Sequence, residues 1–258
     1  MLSRTQKFVA RSAFRIASRL EASEKKLWLQ LPPHVDEFQT HSFARSTEEA
    51  LQDIYPSSLS SLIGTFPCRV IDGTSLREMI RTAFRTQLDD GCNPDDEALR
   101  GLRMLNIQEM LSKSSSMEIT EKGEQCRVRV VVTAVYDEAR SDESRGHMFF
   151  YRVLFENMGS DCIQLMGRHW KFYSPNPPNL VTAVEKFANG VIGLYPTLNS
   201  GEMFQYMSLC TLPEPHGEMQ GSFQFSNKTT GAVFEAAVAP TRLLVPPSTR
   251  KKGMDTKR

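Results

Sequence analysis

No apolar run in this sequence approaches the roughly 20 residues that a helix needs to cross a bilayer. A helical membrane span is therefore not expected. Cysteine is sparse: Cys68, Cys92, Cys126, Cys162 and Cys210 lie far apart and form no Cys-x-x-Cys pair. That argues against a zinc site or redox dithiol, and an odd, dispersed set suits buried thiols in a reducing compartment. Charge of one sign is missing as well. The chain carries 31 Lys and Arg against 30 Asp and Glu, a net charge of +1, so no global field points to nucleic acid. Catalytic groupings are also wanting. His34, His41, His147 and His216 fall in unrelated loops or strand ends, and the sequence gives His169 no Ser-His-Asp or Cys-His set. We expect no catalytic residue, no metal and no enzymatic activity.

What is present begins with the first twenty residues, "MLSRTQKFVARSAFRIASRL", which contain no acid. On a helical projection Arg4, Lys7, Arg11, Arg15 and Arg19 fall on one side, and Leu2, Val9, Ala13, Ile16 and Leu20 on the other. A basic, acid-free, Ser-containing amphipathic start has the character of a mitochondrial targeting helix. Matrix localisation is the expectation. The same segment can equally be an ordinary first helix with a basic solvent face.

With 258 residues, 40% of them hydrophobic, the chain can bury a core for one large domain or two small ones. Periodicity divides it into two modules, an α+β arrangement. Residues 1–112 read as helical: one helix over about 4–29, one opening at Ser75 with a Ser75–Glu78 capping box, and one opening at Asn93 and Pro94. In the third helix, Leu99, Leu102, Leu105 or Ile107, and Leu111 are the expected core face. A Pro- and Ser-rich insertion occupies about 30–70, with room for a short helix near 46–54. Residues 113–123, "KSSSMEITEKG", read as a linker. Residues 124–247 carry at least six short alternating runs broken by "NMGSD", "SPNPPN", "LNSGE" and "NKTTG", the pattern of a β-sandwich. Residues 248–258 form a basic tail.

Two stretches of the helical half resemble the mitochondrial LYR family. "AFRIASR" (Ala13–Arg19) is similar to its leucine-tyrosine-arginine signature, with Phe14 in the tyrosine place, Arg15 in the arginine place, and Ala13 instead of leucine. "LREMIRTAFR" resembles the family's second-helix pattern, with Ile80, Arg81, Phe84 and Arg85 in place. The long insertion between them departs from the family. The second half resembles the ApaG domain through "LMGRHWKF", "NGVIGLYPTLNSGEMFQYMS" and "GEMQGSFQF". That resemblance implies an immunoglobulin- or fibronectin-like sandwich, which agrees with the strand pattern.

The LYR resemblance implies a three-helix bundle that binds mitochondrial acyl carrier protein, an acidic partner. The protein would need no cofactor of its own, since the partner brings 4′-phosphopantetheine loaded with an acyl chain. The residues expected at that interface are Phe14, Arg15, Arg19, Arg77, Arg81, Phe84 and Arg85. Arginine suits the task because its planar fork donates paired hydrogen bonds to carboxylates and phosphates. An eight-carbon chain would contribute on the order of 5 kcal/mol at about 0.8 kcal/mol per buried methylene, before ordering costs. The alternative is that these arginines belong to solvated faces and pair with Glu78, Asp89 or Asp90.

In the ApaG-like half the family's Gly-x-Gly-x-x-Gly run appears as "ANGVIG", leaving Gly190 and Gly193 as candidate phosphate-binding positions. No helix pattern follows them, so turn formation is the simpler expectation. His169 and Trp170 read as structural. The combined expectation is a mitochondrial adaptor docked in a large assembly, the mitochondrial ribosome or its assembly intermediates. A respiratory-complex subunit or assembly factor with the same partner is the alternative, and a nucleotide-binding protein acting through the ApaG-like half is a second.

Overall fold

The computed structural model describes residues 2–29, 41–44, 70–85, 91–142, 144, 146–175 and 178–247. The short helix expected near 46–54, most of the 30–70 insertion and the basic tail lie outside these. The chain forms two compact units, one helical and one of strands.

The helical unit contains α1 (Arg4–Ser23), α2 (Gly73–Ala83) and α3 (Pro94–Lys113), with β1 (Leu27–Trp28) pairing antiparallel to β3 (Val70–Ile71). Ser3 caps α1: its Oγ accepts from the Gln6 amide while the Gln6 side chain accepts from the Ser3 amide. Glu24 ends the helix at φ 54°, a left-handed residue, so α1 stops at Ser23 and does not run on to residue 29. Asp72 caps α2 through the Ser75 amide at 2.7 Å, which displaces the expected Ser75–Glu78 box by three positions. Asn93 and Pro94 open α3 as expected.

Polar ties fix how the helices run. Ser3 donates to Asp95 at 2.6 Å at the N-terminal ends of α1 and α3, and Arg19 meets Glu109 near their C-terminal ends, so the two are parallel. Gly73, at the start of α2, faces the last turns of α1: a Cβ there would come within 2.5 Å of the Ala17 carbonyl oxygen. Arg77, one turn on, reaches Ser18 and Glu21, so α2 is antiparallel to α1. Val9, Ala13, Ile16, Ala17 and Leu20 of α1 are buried, as the projection predicts. The expected core face of α3 is only partly realised. Leu111 is buried, but Met104, Gln108 and Glu109 share the inner face, while Leu99 is 45% exposed. The anchors at Asp95 and Glu109 set the helix rotation, and they turn Leu99 outward.

The second unit is a sandwich of two antiparallel sheets. One has the order β2 (His41–Ala44), β10 (Met203–Leu212), β6 (His147–Asn157), β5 (Cys126–Tyr136), β4 (Ser115–Lys122). The other has β12 (Val233–Leu244), β11 (His216–Asn227), β7 (Ile163–Pro175), β8 (Pro178–Asn189), with β9 (Thr197–Leu198) on β7. The expected linker is therefore a strand. Its alternation is carried by Met117 and Ile119 alone, a short signal among polar residues, yet it pairs with β5 from Ser115↔Thr133 to Lys122↔Cys126. Its side chains bridge to β12: Ser116 Oγ donates to the Ala239 carbonyl, and the Ala237 amide donates to Thr120 Oγ1.

Between the sheets lies an aromatic core. Phe155 meets Phe223 edge-on at 4.5 Å, and Trp170 meets Phe223 at 5.3 Å and Tyr151 at 5.8 Å. A bulge in β7 makes this possible. Opposite β11, Gln224↔Gly167 is followed by Phe225↔Leu165, leaving Met166 as an extra residue. The extra residue switches parity, so Ile163 and Leu165 point inward on one side of it, and Trp170 and Phe172 on the other.

Candidate functional site

The expected arginine cluster separates when its partners are traced. Arg77 is held by both Glu21 oxygens, at 2.7 and 2.8 Å, and by Ser18 Oγ at 2.8 Å. Its guanidinium lies 6.0 Å from the centroid of the Phe14 ring. The fork holds the Glu21 carboxyl below its ordinary range, chiefly through these hydrogen bonds. Phe14, Ser18 and Glu21 thus form the flank of α1 that meets α2, and the two LYR-like stretches are brought side by side.

Arg19 does not join them. It lies on the flank of α1 toward α3, where its Nε and Nη2 donate to the two oxygens of Glu109 at 3.1 and 2.8 Å. Lys113 adds a third contact to Glu109 at 3.1 Å. Burial works to raise the Glu109 carboxyl, but hydrogen bonds from Arg19 and Lys113 outweigh it and hold it low. The residues expected together at one interface do not share one edge: Arg19 and Arg77 occupy opposite flanks of α1, each paired with an acid. The reason is that a four-residue step drifts around a helix, and each flank brings its own carboxylate within reach of a guanidinium, Glu109 for Arg19 and Glu21 for Arg77.

Arg81 pairs with Glu78 one turn earlier on its own helix, the pairing considered as the alternative. Phe84 is the half-buried C-cap of α2. Arg85 lies just past the helix and is exposed. Along the outer face of α1, Arg4, Lys7, Arg11 and Arg15 are exposed and make no ion pair among the described residues. Phe8 stands among them, 60% exposed. This ridge was legible in the sequence as the basic face of the first helix. Spacing alone did not show that its four outer cations stay free while Arg19 is taken.

Gly190 and Gly193 are turn residues. Gly190 has φ 47°, and a Cβ there would overlap the Leu194 carbonyl. Val191 and Leu194 exchange backbone hydrogen bonds at 2.9 and 2.8 Å around Ile192 (φ 52°) and Gly193 (φ 74°), a tight turn with both central residues left-handed. The Gly190 amide donates to Met166 and the Val191 amide to Leu194. Neither is open to a phosphate, and the turn is followed by β9. His169 lies opposite Ser222 in the β7–β11 register, but the Ser222 hydroxyl donates to Glu235. Lys186 holds the same carboxylate at 2.7 Å. The hydroxyl therefore has no imidazole base.

Buried ionisable groups in the sandwich were not foreseen. Arg129 and Glu156, register partners on β5 and β6, form an ion pair at 2.9 Å with side chains 5% and 8% exposed. Burial lowers the Arg152 guanidinium to about 10 and raises the Cys210 thiol to about 12, which makes that thiol an inert core group. Among the described residues no group of His, Cys, Asp or Glu is placed to hold a metal ion. None of their helices is long and apolar enough to cross a membrane.

The architecture is an antiparallel β-sandwich preceded by a separate unit of three helices. The family model for the ApaG domain (DUF525) matches residues 137–227, inside the sandwich. Protein ApaG of Anaeromyxobacter dehalogenans (strain 2CP-C) is 36% identical over 121 residues, 47% of this chain and 92% of that protein. Protein ApaG of Methylobacterium sp. (strain 4-46) is 38% identical over 127 residues, 48% of this chain and 93% of that protein. A crystal structure titled as the putative ApaA protein of Bordetella pertussis is 32% identical, with a TM-score of 0.43 over 51% of this chain and 97% of that one. The chain belongs to the ApaG family.

Proposed function

We propose that the protein is a non-enzymatic adaptor whose helical unit binds mitochondrial acyl carrier protein, while the ApaG sandwich docks into a large assembly in the mitochondrial matrix. The observation that carries this reading is the contact of Phe14 with Arg77. It unites the two LYR-like stretches on one flank of the helical unit. Beside that flank stand the exposed cations of α1, which match an acidic partner in charge. Phe14, Arg15, Arg77, Arg81, Phe84 and Arg85 serve the interface, and Arg19 supports it from within by tying α1 to α3. The partner supplies 4′-phosphopantetheine and its acyl chain.

The host assembly we favour is the mitochondrial ribosome or its assembly intermediates. Affinity purification from mitochondria, followed by sedimentation, tests both halves. Charge reversal at Arg81 and Arg85 should abolish recovery of acyl carrier protein and leave the sandwich folded. Undiminished recovery of the carrier by that variant would sink the proposal. Co-migration with inner-membrane complexes instead of ribosomal RNA would move the protein to a respiratory assembly.

A further inference from the structure

A cleft opens where α1 ends, away from the Phe14–Arg77 flank. It encloses about 760 Å³, within the usual range for a small-molecule site. Its apolar lining is the exposed Ala22 and the half-buried Trp28, with Leu20 and Leu27 packed beneath them. Its rim is cationic: Arg19, Lys25, Lys26 and Lys113 stand against one acid, Glu109. That acid is already saturated, by Arg19 through two hydrogen bonds and by Lys113 through a third. Lys25 is exposed and forms no ion pair among the described residues, and the influence of Lys26 falls on Asp72. Among the described residues the rim therefore holds more positive charge than the acids beside it neutralise. The main chain at Trp28 is tied to α3, since its backbone amide donates to Ser112 Oγ at 3.0 Å.

We propose that this cleft is a binding site for a small phosphate ester with a flat or apolar body, a nucleoside phosphate being the type. The lysine rim takes the phosphates, and the body lies against Ala22 and Trp28. A bare inorganic anion satisfies the rim but leaves the apolar floor wet. An uncharged aromatic covers the floor but leaves the rim without a partner. Only a molecule with both parts answers the whole cleft.

The chain has two tryptophans. Trp170 is sealed in the sandwich core at 1% exposure, so emission changes on ligand addition report on Trp28. The test is a fluorescence titration of the full chain with ATP, excited outside the nucleotide band, beside orthophosphate and adenosine. The expected result is saturable quenching by ATP, at least tenfold weaker responses to the other two, and loss of the signal in Trp28→Phe. Lys25→Glu/Lys26→Glu, at exposed positions that leave the fold intact by circular dichroism, should weaken ATP binding roughly tenfold or more, about 1.4 kcal/mol. No saturable change at millimolar ATP overturns the proposal. So does unaltered affinity in the double variant, or equal affinity for orthophosphate. Acyl carrier protein is absent throughout, so neither outcome bears on the adaptor reading.

Discussion

The two units of this chain are held together by different physics. The sandwich is closed by large aromatic side chains: Phe155, Trp170, Phe204, Tyr206, Phe223 and Phe225 are all at most 2% exposed. Two of its buried charges, Arg129 and Glu156, answer each other directly. The helical unit has no buried aromatic core among the described residues. Its interior between α1 and α2 includes Val9, Ala13, Ile16, Ala17, Leu20, Leu76, Met79 and Ile80, small to medium apolar side chains that let helices approach closely. Register there is set by polar ties at the helix flanks: Ser3 to Asp95, Arg19 to Glu109, and Arg77 to Glu21. A core of interlocking rings tolerates a plain polar surface. A thin aliphatic core puts its specificity on the surface, where the same arginines are within reach of a partner.

The contrast is sharpened first by removing a ring. Phe223 packs edge-on against both Phe155 and Trp170, so Phe223→Ala should cost about 3–5 kcal/mol. The denaturant midpoint of Trp170 emission measures it. A loss below about 1 kcal/mol would show that the core repacks easily and that the aromatic account is wrong. A smaller effect is expected in the helical unit, where closeness of approach is the sensitive quantity. Gly73→Val should cost about 1–3 kcal/mol, because the added atoms meet the Ala17 carbonyl and the Glu21 side chain. Faster amide exchange in α1 and α2 should accompany it, with the β5–β6 amides unchanged.

The smallest effect concerns charge. Folding holds the Glu109 carboxyl below its ordinary 4.5, so its contribution is complete above that pH and is lost as pH falls through the folded-state value. Arg19 is 55% exposed, so solvent screens the pair and the contribution is modest. Glu109→Gln should flatten the acid limb of the helical transition below the ordinary 4.5 of a glutamate, followed by far-ultraviolet circular dichroism. An acid limb unchanged by the substitution would remove Glu109 as an anchor of α3.

Part of this was legible before any coordinates. The alternating runs gave most strands of the sandwich, because a strand with one buried face repeats every two residues. Strand β8 escaped notice: "NLVTAVEKFAN" carries helix-forming Ala, Glu and Lys, and only its pairing with β7 makes it extended. Strand β4 escaped because only two apolar residues, Met117 and Ile119, mark its period among Ser, Thr, Glu and Lys. The left-handed stop at Glu24 was hidden too, since that residue type gives no signal for it.

For the candidate interface, spacing identified the basic residues but not their loyalties. Whether an arginine faces solvent or a carboxylate depends on acids brought in from other elements. Glu21 lies on α1 and Glu109 on α3, each distant in sequence from the arginine it meets. Sequence by itself determined the sandwich, the amphipathic first helix and the membership in the ApaG family, because these rest on local periodicity and on motifs within single strands; it did not show that β2, inside the insertion, pairs with β10 of the sandwich. Only the tertiary structure decided which arginines are neutralised, which face of α3 is buried, and that a cationic cleft lies at the end of α1. Those outcomes depend on contacts between segments far apart in the chain, and no local pattern encodes them.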